Sequence, residues 1–201
     1  MKFMEKLRRT GHKGVHILRL FSTMTAALDR LLPRYQFVER HCITVRAGLA
    51  ATFATVETVD LSDSTIAKTF MALWRIPARL FINPLPERSM TVQDFIPLLR
   101  EPPRDLVRGL VTGVPKRTWT ADEFAVHDQP GFKLAWGFCV TDLGDGRCRV
   151  DTETRVLCCD AKTKRWFNLY WLVIRIPSGI IRLDMLRIIK QRVEALSINR
   201  V

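Results

Sequence analysis

A chain of 201 residues, 47% hydrophobic and 26% charged, is sized for one domain with an appended segment and can bury a core without staples. No apolar run approaches the roughly eighteen residues that a membrane span requires, and the basic N-terminus lacks the h-region and cleavage site of a secretory signal. The net charge of +12 points to an acidic partner surface, either anionic lipid or nucleic acid.

Half of that charge lies at the start. Residues 1–34 hold Lys2, Lys6, Arg8, Arg9, Lys13, Arg19, Arg30 and Arg34 against Glu5 and Asp29. They read as a basic tail followed by an amphipathic helix with a stripe of Ile17, Leu20, Phe21, Met24, Leu28 and Leu31, stopped by Pro33. Such a helix lies on an anionic membrane interface or, more commonly, packs on its own domain or a second subunit. Residues 35–201 are expected to form the folded domain.

The five cysteines, Cys42, Cys139, Cys148, Cys158 and Cys159, are odd in number and contain no C-x-x-C pair. They suggest neither a zinc site nor a disulfide framework, and fit buried thiols in a reducing cytoplasm. No metal or cofactor is expected.

Tyr35–Arg46 alternates as a strand, with Tyr35, Phe37, Glu39, His41, Ile43 and Val45 on one side. Leu49, Phe53 and Val56 then suggest a short helix. Leu61 to Ser64 offers a cap for a second helix with Ile66, Phe70 and Leu73 or Trp74 inward, ended by Pro77. Pro84, Pro86 and Pro97 mark a loop-rich passage. Strand candidates follow at Phe95–Glu101, Asp105–Thr112, Trp119–His127, Phe132–Thr141 and Arg147–Cys159. Gly144-Asp145-Gly146 between the last two is a strong hairpin signal. One face of the final strand carries Cys148, Val150, Thr152, Thr154, Val156 and Cys158. The other, Arg149, Asp151, Glu153 and Arg155, alternates in sign as a solvated face should.

From Asp160, a good N-cap, to Leu196 the periodicity is helical. Phe167, Tyr170, Trp171 and Ile174 recur at spacings of three and four, and Ile181, Met185, Ile188, Ile189, Val193 and Leu196 gather into one arc of the second half. Unbroken, the segment reaches about 54 Å, beyond the roughly 35–40 Å of a domain this size, so a kink or restart is predicted at Pro177-Ser178-Gly179. Arg182 and Arg192 fall inside the apolar arc. Their stems cover apolar surface in the ordinary reading; in the sharper one a guanidinium anchors an anionic ligand group.

Strands grouped together with helices segregated imply an α+β fold, a curved antiparallel sheet wrapped around the C-terminal helix. The passage FVERHCITVRAGLAATFATVETVDL, the hairpin strands KLAWGFCVTDL and CRVDTETRVLCCD, and the terminal MLRIIKQRVEAL together resemble the START/polyketide-cyclase superfamily, the SRPBCC or birch-pollen-allergen helix-grip fold. The likeness covers roughly residues 35–196, with Ala47, Leu49, Phe53 and Val56 loosely occupying the family's step after the first strand. It implies an elongated apolar cavity between sheet and helix. From the strand and helix faces the expected lining is Trp136, Phe138, Thr152, Thr154, Tyr170, Met185 and Ile189, with Arg192 as anchor, although the same residues would also make an ordinary core.

Glu39 and His41 are the candidates for an acid and base pair, being two apart on one strand face; an exposed edge strand gives the same pattern. No Gly-rich phosphate loop, G-x-S-x-G elbow or H-E-x-x-H helix occurs. No nucleic-acid signature accompanies the tryptophans and arginines, which disfavours nucleic acid as partner. The sequence therefore leads to the expectation of a cytoplasmic protein that binds a hydrophobic, lipid-like small molecule, reaching membranes through its basic N-terminal helix. A cyclase or hydrolase using the same cavity is the alternative, and nucleic-acid binding through the basic surface a further one.

Overall fold

The computed structural model describes residues 26–69, 95–113 and 119–198. Ile17, Leu20, Phe21 and Met24 of the N-terminal stripe lie outside the described residues, as do Phe70, Leu73, Trp74, Pro77, Pro84 and Pro86. In chain order the elements are α1 (26–31), β1 (Phe37–Val45), α2 (Leu49–Thr58), a 3-10 turn Leu61–Asp63, α3 (65–69), β2 (Ile96–Glu101), β3 (Asp105–Val111), α4 (Ala121–Val126), β4 (Phe132–Gly144), β5 (Arg147–Cys158) and α5 (Ala161–Ile198).

The fold is α+β. Five antiparallel strands in the order β1-β5-β4-β3-β2 form a curved, unclosed sheet packed against the long C-terminal helix, with short helices after the first strand. The arrangement is compatible with a helix grip. The hairpin between β4 and β5 turns where the Gly144-Asp145-Gly146 chemistry places it, all three residues having positive φ. Ser64 caps α3 as the sequence suggests, its Oγ accepting from the Ala67 N–H at 2.9 Å.

Alternation sorts side chains onto two faces. Toward α5, Val45, Trp136, Phe138, Val140 and Val150 mesh with Phe53 and Val56 of α2 and with Met185, Leu186, Ile189 and Val193 of α5. On the opposite face Ala27, Leu28, Leu31 and Leu32 pack with Leu98, Val107, Phe124, Ala135 and Cys139. The C-terminal part of the basic N-terminal segment therefore packs on its own domain, and Gly137 leaves the room that Leu28 fills.

This second layer corrects the expectation of a solvated face on β5. Asp151, Glu153 and Arg155 are buried. Arg155 donates to Glu153 at 2.6 Å, to Asp29 at 2.5 Å and to the Leu32 carbonyl at 3.1 Å, with the Tyr35 ring 4.6 Å away. Arg40 clamps the same Glu153 at 2.8 and 3.1 Å. Alternating signs served an ion-pair network beneath α1, which holds charges that would be costly if buried alone.

One further expectation is corrected. Trp119–His127 is no strand, since α4 occupies its middle. Thr120 accepts from the Glu123 N–H and the Glu123 carboxylate accepts from the Thr120 N–H, a capping box that starts a helix. Buried Lys133 closes its other end, donating to the carbonyls of Phe124 and Ala125 at 2.9 and 2.8 Å.

Where a kink or restart is expected at Pro177, the helix does not restart. α5 runs through it for 38 residues, about 57 Å. Packing on both sides of the proline holds the two halves as one helix: Phe167 lies 4.8 Å from Phe37 and 5.0 Å from Phe132, while Met185 and Ile189 sit in the main core. Asp160 caps its start, accepting from the N–H groups of Thr163 and Gly131 at 2.9 Å each.

Candidate functional site

Among the described residues β1 is an edge strand, paired with β5 alone. Its alternation turns Glu39 and His41 toward α5, and the register sets Glu39 opposite Thr154 and His41 opposite Thr152. One strand further, Thr154 stands opposite Trp136 and Thr152 opposite Phe138. Two rows of side chains thus cross the sheet under the middle of the helix.

Gly179 brings α5 down onto this corner. A Cβ on it would stand 2.7 Å from Glu39 Oε1, so the close approach depends on glycine. Ser178, the residue just before it, and Arg182, about one turn after it, reach the same carboxylate. Arg182 Nη1 donates to Glu39 Oε2 at 3.0 Å and also to Ser178 Oγ; Nε and Nη2 donate to Thr154 Oγ1 at 3.1 and 2.9 Å. Ser178 Oγ donates to Glu39 Oε2 at 3.2 Å, and the other carboxylate oxygen, Oε1, lies 3.1 Å from His41 Nε2. Burial draws the Arg182 guanidinium below its ordinary pKa, an effect that Glu39 opposes.

Both oxygens of Glu39 are engaged, so this carboxylate orients its neighbours rather than accepting a proton from a guest. His41 presents Nε2 to that carboxylate on a partly exposed side chain. Above the pair runs a groove of about 360 Å³ between β1 and α5. Ile176, Ile180 and Leu183 give it apolar lining, Glu39 and His41 its polar part, and Arg175 a cationic group, while Arg40 borders it with its guanidinium held by Glu153.

The remaining sequence-predicted residues lie elsewhere. Trp136, Phe138, Met185 and Ile189 belong to the main core. Trp136 Nε1 donates to Thr152 Oγ1 at 2.8 Å, and that hydroxyl donates to the Gly137 carbonyl at 3.0 Å. Thr154 is bound to Arg182. Tyr170 packs 5.4 Å from Phe167, and burial pushes its phenol up. Arg192 pairs with Asp63 at 2.8 Å on the surface beside the 3-10 turn. His127 meets the edge of Trp119 at 4.9 Å.

The sequence reading missed Ser178, Gly179, Arg175 and the groove isoleucines. The available signal was the Pro-Ser-Gly step followed one turn later by Arg182, a set of small and polar residues on an otherwise apolar helix face. Among the described residues no three His, Cys, Asp or Glu side chains gather closely enough to hold a metal ion. No helix among them is long and apolar enough to cross a membrane. Compared with known proteins, the chain matches no family model, and no curated protein matches it.

Proposed function

We propose that the groove between β1 and α5 binds an amphiphilic, lipid-like small molecule, in a domain of START/polyketide-cyclase type. The observation that carries this reading is the convergence of a satisfied polar cluster, Glu39, His41, Ser178 and Arg182, on a groove lined by Ile176, Ile180 and Leu183. An apolar concavity with a few fixed polar groups is the usual form of a small-molecule site, and its volume lies in the range such sites occupy. The guest's tail runs along the two isoleucines and Leu183. Its head meets His41 and the guanidinium of Arg175.

Titration with a dansyl-labelled undecanoic acid tests this. Saturable one-site fluorescence enhancement is expected, weakened about tenfold or more by Ile180→Asp, since an aspartate removes an apolar contact and adds a charge. Enhancement of equal size in wild type and variant, or none at all, removes the proposal.

The 3.1 Å contact between Glu39 and His41 favours a second reading, a hydrolase or cyclase in which His41, oriented by Glu39, acts as general base. It requires ester cleavage, with a p-nitrophenyl acyl ester as probe, that His41→Ala abolishes. Turnover unchanged in that variant excludes it.

A further inference from the structure

The helix that meets the sheet through Phe167, Trp171, Ile181 and Met185 is apolar on its other side as well. Trp166, Leu169, Val173, Ile176, Ile180 and Leu183 follow one another at alternating spacings of three and four, and all are exposed; Leu172 at 75% and Ile176 at 71% are the most open. At 100° per residue these seven side chains fall within a roughly 120° arc opposite the buried face, over about 26 Å of helix. Monomeric soluble proteins rarely leave so continuous an apolar stripe uncovered.

The charges around it identify what covers it. Lys162 and Arg165 continue the stripe at one end and Arg187 at the other, with Arg175 beside it, all exposed. The single acid between residues 161 and 187 is Asp184, partly buried and bound to Ser64 Oγ at 2.6 Å. A second copy laid antiparallel on the stripe would set Lys162 against Arg187 twice over, a like-charge contact in a symmetric interface. Anionic lipid meets the same groups with opposite charge, and a Trp, Leu and Ile face rimmed by Lys and Arg is the pattern of a helix lying in a bilayer interface.

We infer that the outer face of α5 is a membrane-docking surface, seated on anionic bilayers with Trp166, Leu169, Leu172 and Val173 in the headgroup boundary. Ile176, Ile180 and Leu183 belong both to this stripe and to the lining of the groove, so docking sets the groove against the lipid. The inference stands whether or not the groove takes a guest.

The full chain is sedimented with vesicles of phosphatidylcholine alone and of phosphatidylcholine mixed with phosphatidylserine. Binding is expected to the mixed vesicles, to fall with salt, and to weaken about hundredfold in Leu169→Asp/Leu172→Asp, two residues outside the groove. Lys162→Glu/Arg165→Glu is expected to cost about tenfold or more and to flatten the salt response. Brominated lipid should quench tryptophan emission in the wild type and much less in Trp166→Phe. Five results each overturn the inference. Both paired variants may bind as wild type does, which assigns the contact to the basic N-terminal segment. The chain may bind neither vesicle, or both equally. It may dimerise through this face without binding lipid. Finally, Leu169→Asp/Leu172→Asp may lower the unfolding midpoint markedly, which means that the chain itself covers the stripe.

Discussion

Replacing Gly179 by alanine sets two opposed effects against each other in one residue. In the interior of α5 the change gains about 1 kcal/mol of helix propensity. The new methyl, however, stands 2.7 Å from Glu39 Oε1 and must push that oxygen back by several tenths of an ångström. The oxygen is not free to move: its carboxylate is held by His41, Ser178 and Arg182. Losing one hydrogen bond to a charged group costs about 1.5–3 kcal/mol. Gly179→Ala is therefore expected to destabilise by about 0.5–2 kcal/mol in urea unfolding at constant m-value. In a Glu39→Ala background the obstacle is gone, and the same substitution should stabilise by about 1 kcal/mol. The reversal of sign is the diagnostic. Stabilisation by Gly179→Ala in the otherwise unaltered chain would refute the account of this corner.

Leu28→Ala should cost about 2–5 kcal/mol, because the side chain is fully buried against Gly137; a loss below about 1 kcal/mol would return α1 to the status of an appendage. Lys133→Met leaves the Phe124 and Ala125 carbonyls without their donor and should cost about 1–3 kcal/mol, read in the same unfolding assay. Hydrogen bonds from Thr163, then Gly131, hold the Asp160 carboxyl down at about 2. Its contribution is thus complete above the ordinary carboxylate value near pH ~4 and fades as pH falls through about 2, so the stability difference between wild type and Asp160→Asn should be constant above that range and shrink below it. A difference that grows on acidification would contradict the capping role.

Local chemistry with one solution was legible in the sequence. The Gly-Asp-Gly turn, the alternation in β4 and β5, Ser64 as a cap and the helical period after Asp160 all stand where their residues place them. What was not legible depended on a partner distant in the chain. Arg149, Asp151, Glu153 and Arg155 give the same alternating pattern whether water or α1 lies over them, and only the docking of Leu28 and Leu32 decides. Residues 119–127 carried both an alternation and a Thr-Ala-Asp-Glu capping box; the box was the stronger signal, because it satisfies two backbone donors directly. Pro177 removes the donor for the Val173 carbonyl, but aromatic packing before it and core packing after it outweigh that loss. At the site, Glu39 and His41 were visible as a pair. Gly179 and Ser178 were hidden by their reading as a break, and with them the groove.

The most direct measurement of the central claim uses methyl-labelled isoleucine in the full chain, titrated with dodecanoate and followed by NMR. The account places the guest outside the main core, so the methyls of Ile176 and Ile180 should shift and saturate together while fully buried Ile189 stays unmoved. Shifts at Ile189 with Ile176 and Ile180 silent would put the ligand between sheet and helix instead, and contradict the site assigned to it.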